Sequence, residues 1–341
     1  MIVLGIESTC DETAASIVKD GHNILSNVIA SQIELHKPYG GVFPELASRS
    51  HVNAITQVID KAISEANIQK NDIDLISVAK GPGLIGSLLV GLNAAKGLSL
   101  AWNKPFVGVN HVEAHLYAAM MSQTYPMLPA LGVVISGGHT FLVKINEVGT
   151  YTLLGTTIDD AIGEAFDKIA VMLGLPYPGG PAVEKLALQG DPSKHKFKAG
   201  CVKESPLNFS FSGLKTNVFY LLQGQNAPVN ARKPLTEQEK ADVAASFQQT
   251  AFRDLIKKCK IAISQHQFQA IYFGGGVSNN KTLRKMIADD LKDLPTFWPP
   301  FGLSLDNAAM IAGLGYHVFQ RKNFISDEYD IEPETRIPLN R

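Results

Sequence analysis

The pair with the clearest chemistry is His111 and His115, in the segment His111-Val112-Glu113-Ala114-His115. On a helix, positions i and i+4 share one face, so the two imidazoles can ligate a single ion. Glu113 follows His111 by two residues, roughly 200° round a helix at ~100° per residue. A zinc-peptidase helix of the H-E-x-x-H kind carries its glutamate next to the first ligand, so the order here counts against peptide hydrolysis. Two helical histidines with separate packing roles would leave the same trace. A third ligand must come from elsewhere, and spacing does not say which acid supplies it. Asp11 and Glu12, adjacent acids after a buried strand, are placed for proton transfer or charge stabilisation, although turn chemistry also selects acids there.

Further candidates lie in turns. Gly81-Pro82-Gly83, Gly137-Gly138-His139, Gly179-Gly180-Pro181 and Gly274-Gly275-Gly276 follow strands or precede helices. Backbone N–H groups at such turns can approach a phosphate, and a helix N-terminus adds a favourable dipole. None matches G-x-x-x-x-G-K-[ST], which excludes a P-loop. In Asp159–Lys168, Asp159 or Asp160 can cap a helix. Glu164 and Asp167, at i and i+3, form a carboxylate pair that can hold ribose hydroxyls or simply face water. Lys194, Lys196, Lys198 and Lys203 make the most basic loop, with Phe197 among them: a solvated loop, or a contact for an RNA backbone.

Elements that position these residues can be read from periodicity. Ile2–Glu7, Ala14–Lys19 and Asn23–Ala30 form three strands with a turn at Asp20-Gly21. The pattern returns at Leu131–Ser136, Thr140–Ile145 and Tyr151–Gly155, which suggests two halves of similar architecture. Between them the pattern predicts a helix over Pro44–Asn67, a strand over Ile73–Ala79, a helix over Gly83–Trp102, a strand over Phe106–Val109 and a helix over His111–Met120. Helices are expected near Asp159–Leu173 and Pro181–Gln189, then over Thr236–Ser264. A strand over Ala270–Phe273, a helix from about Asn280 and a last helix over Asp306–Phe319 complete the order. This alternation implies an α/β fold of two lobes with a cleft between them.

The bulk composition is that of a soluble globular protein. The 341 residues are 45% hydrophobic and 18% charged, and the formal net charge of -1 excludes a protein that coats nucleic acid through bulk positive charge. Three cysteines (Cys10, Cys201, Cys259) without CxxC spacing point to a reduced, cytoplasmic setting. No basic region precedes Ile2–Ile6, so no secretory leader is expected. The uncharged, Gly-rich stretch Gly81–Ala95 is shorter than the roughly 20 residues of a membrane span, so no membrane is expected among the partners.

Taken together these segments resemble the bacterial tRNA adenosine(37) threonylcarbamoyltransferases, the universal threonylcarbamoyladenosine synthase family once called O-sialoglycoprotein endopeptidases. The resemblance rests on G-I-E-S-T-C-D-E-T at 5–13, Y-G-G-V-F-P-E-L-A-S-R at 39–49, A-K-G-P-G-L-I-G-S-L-L-V-G at 79–91 and H-V-E-A-H at 111–115. It continues through I-S-G-G-H-T at 135–140, D-D-A-I-G-E-A-F-D-K at 159–168 and Y-P-G-G-P at 177–181. N-F-S-F-S-G-L-K-T at 208–216, G-G-G-V-S-N-N at 274–280 and D-N-A-A-M-I-A at 306–312 complete it. Ser8-Thr9 stands where many members read Thr-Ser, a swap that keeps both hydroxyls.

The resemblance implies an actin-like ATPase fold, with two ribonuclease H-like lobes around a central cleft. The N-terminal lobe would span 1–128, a C-terminal lobe with helical insertions 129–322, and a tail over 323–341 can pack back on the N-terminal lobe. It makes Asp306 the third ligand beside His111 and His115, around one divalent metal per subunit: Fe(II), with Zn(II) as the alternative. It places Val134, Ile135, Ser136, Gly137, Gly138, Asp167, Gly180, Glu184 and Asn280 around the substrate; the chemistry of transfer then makes Asp11 or Glu12 the candidate proton acceptor and His139, with the Gly137-Gly138 amides, the candidate stabiliser of oxyanion or phosphate charge. The implied reaction moves threonylcarbamoyl from threonylcarbamoyl-adenylate to the exocyclic amine of adenosine-37, in tRNAs reading codons that begin with adenine, and releases AMP. The implied partners are tRNA, a smaller non-catalytic paralogous subunit and a P-loop ATPase. Three rival readings remain: a metallopeptidase, an actin-like sugar kinase or ATPase, and a non-catalytic scaffold.

Overall fold

The computed structural model describes residues 1–123, 125–200, 202, 204–223 and 235–337. Five strands build the first sheet: β1 (Ile2–Glu7), β2 (Glu12–Lys19), β3 (Asn23–Ser31), β4 (Leu75–Gly81) and β5 (Phe106–Asn110), in the order β3-β2-β1-β4-β5. The second sheet holds β6 (Ala130–Ile135), β7 (Thr140–Glu147), β8 (Thr150–Thr156), β9 (Ala270–Gly274) and the short β10 (Thr296–Phe297), in the order β10-β9-β6-β7-β8. Counted from its own first strand, each sheet runs third, second, first, fourth, fifth, so the repeat suspected from the two meanders is a repeat of topology. In the first sheet β1–β2 and β2–β3 are antiparallel, while β1–β4 and β4–β5 are parallel. The parallel pairs need helical crossovers, and the helices α2 (Pro44–Glu65) and α3 (Ile85–Trp102) supply them, after the single turn α1 (Ile33–His36).

Strand alternation decides what each face of the first sheet meets. Leu4, Ile6, Ala15 and Ile17 point into one core with Ile55, Val58, Ile59 and Ala62 of α2 and Leu92 and Ala95 of α3. The opposite face takes α10 (Ala308–Arg321), which packs on β1, β2 and β4. Gly5 is what lets it sit there: a Cβ at that position would lie 2.3 Å from the Ala308 carbonyl oxygen and 2.8 Å from the Ala312 methyl. Ser77 on β4 donates its hydroxyl to the Ile311 carbonyl at 2.7 Å, fixing the same helix. Among the described residues α3 is long and apolar enough to cross a membrane by length and composition, and Leu88, Gly91, Leu92 and Ala95 on one of its faces are buried within the protein.

The second sheet is accompanied by α5 (Ile162–Leu173), α6 (Gly179–Ala187), α7 (Ser212–Gln223), α8 (Glu237–Gln265) and α9 (Lys281–Asp290). Phe166 of α5 packs edge-on against Phe247 at 5.0 Å and stacks on Phe252 at 5.6 Å, both from α8. The helix α7 is not among the expected elements, although Leu214, Val218 and Leu222 recur at helical spacing along its buried face. The remaining helix, α4 (His111–Met120), follows β5 directly and contacts α10.

Contacts divide the chain into two compact units, one of Met1–Met127, Ile145–Thr152 and Phe297–Arg341 and the other of Leu128–Lys144 and Leu153–Thr296. These bounds differ from 1–128, 129–322 and 323–341. The reason is the docking of α10 on the first sheet, which takes residues from 297 onward into the first unit. The polar tail belongs there too: Asp327 N–H donates to the Phe106 carbonyl at 2.9 Å and Glu334 N–H to that of Lys80 at 2.8 Å.

Candidate metal centre and ligand loops

The metal candidates come together in the first unit. Asn110 ends β5 and caps α4, its side-chain oxygen accepting from Val112 N–H at 2.9 Å and Glu113 N–H at 3.3 Å. The cap puts His111 at the first helical position and His115 one turn later, with ring centroids 4.7 Å apart and edge to face. Asp306 arrives just before α10, where Asn307 caps the helix by accepting from Met310 N–H at 3.1 Å. One ligand atom each from His111, His115 and Asp306 lies within 4.8 Å of the others. Asp306 Oδ1 is 3.1 Å from His115 Nε2 and 3.5 Å from His111 Nε2. Ligand bonds of about 2.0–2.1 Å in a tetrahedron place neighbouring donor atoms roughly 3.3 Å apart, so the two aspartate–imidazole separations suit one transition-metal ion and the group could hold one.

The electrostatics of the group favour a cation. Burial alone would push the His111 pKa down, but the Glu7 and Asp306 carboxylates outweigh it and hold the imidazole well above its ordinary range. Burial likewise works against the Asp306 charge, and the imidazoles of His111 and His115 overcome it, so Asp306 stays ionised. Glu113 is not a member of the group: burial pushes its pKa up to about 7, against the pull of Arg321 and Lys80.

The turn after β1 contributes the acids. Glu12 is buried, accepts from the Ser31 hydroxyl at 2.8 Å through Oε1, and among the described residues finds no partner for Oε2. Burial raises its pKa to about 7, opposed by the Ser31 hydrogen bond and helped by Asp11 and Asp306. Asp11, half-buried, is raised by burial and then by the charge of Asp306. In the sequence Glu7 shows only as the end of an apolar strand. Yet its carboxylate is fully buried, with Oε2 2.9 Å from His111 Nδ1 and Oε1 accepting from Thr9 N–H at 2.5 Å. A carboxylate closing a wholly buried strand is the signal that could have found it.

The remaining candidates belong to the second unit. Val134 and Ile135 end β6, and Ser136–His139 form the turn into β7. There Ser136 N–H donates to the His139 carbonyl at 2.9 Å, and His139 N–H to the Ser136 hydroxyl at 3.1 Å. Gly137 and Gly138 are exposed. Helix α5 starts against this turn, and a Cβ on Gly163 would lie 2.6 Å from the Ser136 carbonyl oxygen. Asp167 turns toward α6: its Oδ1 accepts from Gly179 N–H at 2.9 Å and Gly180 N–H at 3.2 Å, while burial raises its pKa in spite of both. Glu184 accepts from Lys281 N–H at 2.7 Å, beside the buried Asn280. Asn280 caps α9 by accepting from Leu283 N–H at 3.0 Å and donates to Gln248 at 2.8 Å.

One expectation for the acidic segment changes. Neither aspartate caps α5. Asp159 serves the start of α7 instead, accepting from Phe211 N–H at 2.8 Å, Ser212 N–H at 3.2 Å and the Ser210 and Ser212 hydroxyls. Asp160 binds Lys168 and Lys215 at 2.8 and 2.9 Å. Of the acids at i and i+3, Glu164 bridges to Lys168 at 2.8 Å and Asp167 faces α6, with the charge of Glu164 adding to the rise of the Asp167 pKa that burial causes. Lys194, Lys196 and Lys198 are exposed, and Lys203 lies outside the described residues.

Comparison with known proteins adds to this geometry. The profile of the family described as tRNA N6-adenosine threonylcarbamoyltransferase matches residues 23–313. Proteins of that name from Protochlamydia amoebophila and Anaeromyxobacter dehalogenans are 57% and 45% identical, over 99% and 98% of this chain and 98% and 99% of the relatives. Among solved structures, T. kodakarensis HypF superposes with a TM-score of 0.63 at 14% identity, over 96% of this chain and 48% of that one. A ROK hexokinase from Thermus thermophilus gives 0.53 at 14% identity, over 95% and 100%. At such identities these two establish the fold alone, that of the actin-like ATPases.

Proposed function

The chain belongs to the tRNA N6-adenosine threonylcarbamoyltransferase family, and from that premise we propose how it works. It is an acyltransferase of tRNA modification, and its acceptor is the exocyclic amine of adenosine-37 in tRNAs reading codons that begin with adenine. The donor is threonylcarbamoyl-adenylate, a mixed anhydride, and AMP is the leaving group. The observation that carries this reading is the convergence of His111, His115 and Asp306 within 4.8 Å, in a chain that matches the family along nearly its whole length.

The adenine amine is barely basic, so transfer needs a polarised carbonyl and a destination for a proton. A divalent ion held by His111, His115 and Asp306 would supply a Lewis acid for the carbonyl or an anchor for the threonyl group. Two imidazoles, one carboxylate and open positions suit Fe(II), with Zn(II) the alternative. Glu12 is the first candidate base, since a carboxyl near 7 accepts a proton efficiently at neutral pH; Asp11 is the second. As the nitrogen–carbon bond forms, that proton passes to the acid, the carbon–oxygen bond to phosphate breaks, and AMP departs with the electron pair. The N–H groups of Gly137 and Gly138, with His139, would hold the developing charge or the phosphate. Val134, Ile135, Ser136, Asp167, Gly180, Glu184 and Asn280 would hold the rest of the donor.

A peptidase would use the same ion to activate water beside a carboxylate base, and the separation of Glu113 from the ligand group disfavours it. The smaller paralogous subunit and the P-loop ATPase belong to this proposal as partners, and the cytoplasm as its place, in keeping with the free thiols of Cys10 and Cys259. Nucleoside mass spectrometry of tRNA from cells depleted of the protein tests the whole reading. Threonylcarbamoyladenosine is expected to disappear and to return with the wild-type chain, but not with the His111→Ala, His115→Ala double variant. Unchanged nucleoside levels on depletion would refute it.

A further inference from the structure

We infer that Glu7 is a positioning residue for the metal centre: it holds His111 in the one tautomer that leaves Nε2 free to bind a cation. The inference rests on the metal site proposed above and extends it to a residue that does not touch the ion.

Glu7 is wholly buried at the end of β1. Isolating a carboxylate from water is costly unless a charge or hydrogen bonds compensate it, and among the described residues no lysine or arginine pairs with Glu7. Its partners are Thr9 N–H, at 2.5 Å from Oε1, and His111 Nδ1, at 2.9 Å from Oε2. An ionised carboxylate only accepts, so Nδ1 carries the proton of that contact and Nε2 is the nitrogen left to face Asp306, 3.5 Å away, where a bound cation would replace its proton. The charge of Glu7 is thus passed through the imidazole to whatever cation sits between His111, His115 and Asp306, which raises the basicity of Nε2 as a ligand. His115 has no such support: its Nδ1 is buried without a hydrogen-bond partner among the described residues. The two ligands are therefore unequal, and His111 is the one whose orientation the first sheet dictates.

A glutamine at position 7 has the same shape but the wrong chemistry. It has one carbonyl oxygen, which Thr9 N–H already claims. Its amide NH2 then faces His111 Nδ1, which must accept, and the ring proton moves to Nε2, where it blocks the metal. Alanine leaves Nδ1 free to choose either tautomer. A purely structural role would make the isosteric Glu7→Gln milder than Glu7→Ala; the positioning role reverses that order.

The test is competitive titration of the full chain with Zn(II) against a chromophoric chelator, with circular dichroism and a thermal melt to verify the fold. Glu7→Gln is expected to weaken Zn(II) binding about 10- to 100-fold, and Glu7→Ala by less. Wild-type affinity in Glu7→Gln, or a larger loss in Glu7→Ala, overturns the inference and leaves the metal centre standing. No Zn(II) binding by the wild-type chain overturns both. If neither variant folds, the zinc-loaded wild-type chain decides, through long-range nitrogen–proton correlation of histidine-labelled protein. A proton on His111 Nδ1 supports the assignment, and a proton on Nε2 overturns it.

Discussion

At the scale of single residues, the two neighbouring acids of the His111 helix carry opposite expectations. Asp306 offers a ligand oxygen and an ionised charge; Glu113 lies outside the ligand group. Asp306→Asn is therefore expected to lower tRNA modification about 100-fold or more, beyond the usual cost of disturbing an outer-sphere partner. Glu113→Gln is expected to leave it within the same order of magnitude. Reconstituted transfer with threonylcarbamoyl-adenylate, with a protein substrate run in parallel, checks both. Loss of activity in Glu113→Gln but not in Asp306→Asn, together with peptide cleavage, would replace transfer by proteolysis. The i, i+4 histidines were legible without coordinates because one helical turn is enough to pair them. Asp306 was not, since nothing local links it to residues so far upstream; only the resemblance nominated it.

At the scale of elements, the acidic segment before α5 shows how a local rule can find the right residue and the wrong partner. An aspartate just before a helix reads as that helix's cap. The side chain of Asp159 reaches α7 instead, and the hydrogen bonds it accepts there lower its pKa despite partial burial. Asp159→Ala is expected to destabilise the protein by about 1 kcal/mol, within the range of lost helix caps, while Asp159→Asn keeps much of the stability. Denaturant midpoints measure the difference, and equal midpoints for alanine and wild type would count against the assignment. The strands of both meanders lay close to their expected ends, as alternation and Asp20-Gly21 turn chemistry are short-range. Helix α7 escaped because its stability depends on a cap from a distant segment and on the burial of Leu214, Val218 and Leu222.

At the scale of the whole molecule, α10 ties the end of the chain to its beginning, and one half-buried base reports on that tie. His317 of α10 lies 2.8 Å from the Tyr117 hydroxyl of α4. Burial lowers its pKa to about 4, with Arg321 and His22 adding to the effect. The folded state thus binds fewer protons than the unfolded one between that value and the ordinary 6.5. The contribution is complete above the unfolded pKa and is lost as pH falls toward about 4. His317→Gln is expected to flatten the decline of stability between pH 6.5 and 4 by up to about one proton. Unfolding free energies measured across that range test it, and an unchanged slope would place the acid sensitivity elsewhere.

What the amino-acid sequence determined alone is what short-range physics determines: alternating strands, amphipathic helices, glycine turns and two histidines on one helical face. Its motifs also identified the family, because their order and types are specific even where their contacts are unknown. Tertiary structure decided which acid meets those histidines, that Glu7 stands behind His111, and that Asp159 and Asp167 support α7 and α6. It also decided that residues 297 onward join the first unit. Each of these depends on groups far apart in the chain, and burial makes such contacts consequential: a carboxylate deprived of water must find its compensation wherever the fold delivers it.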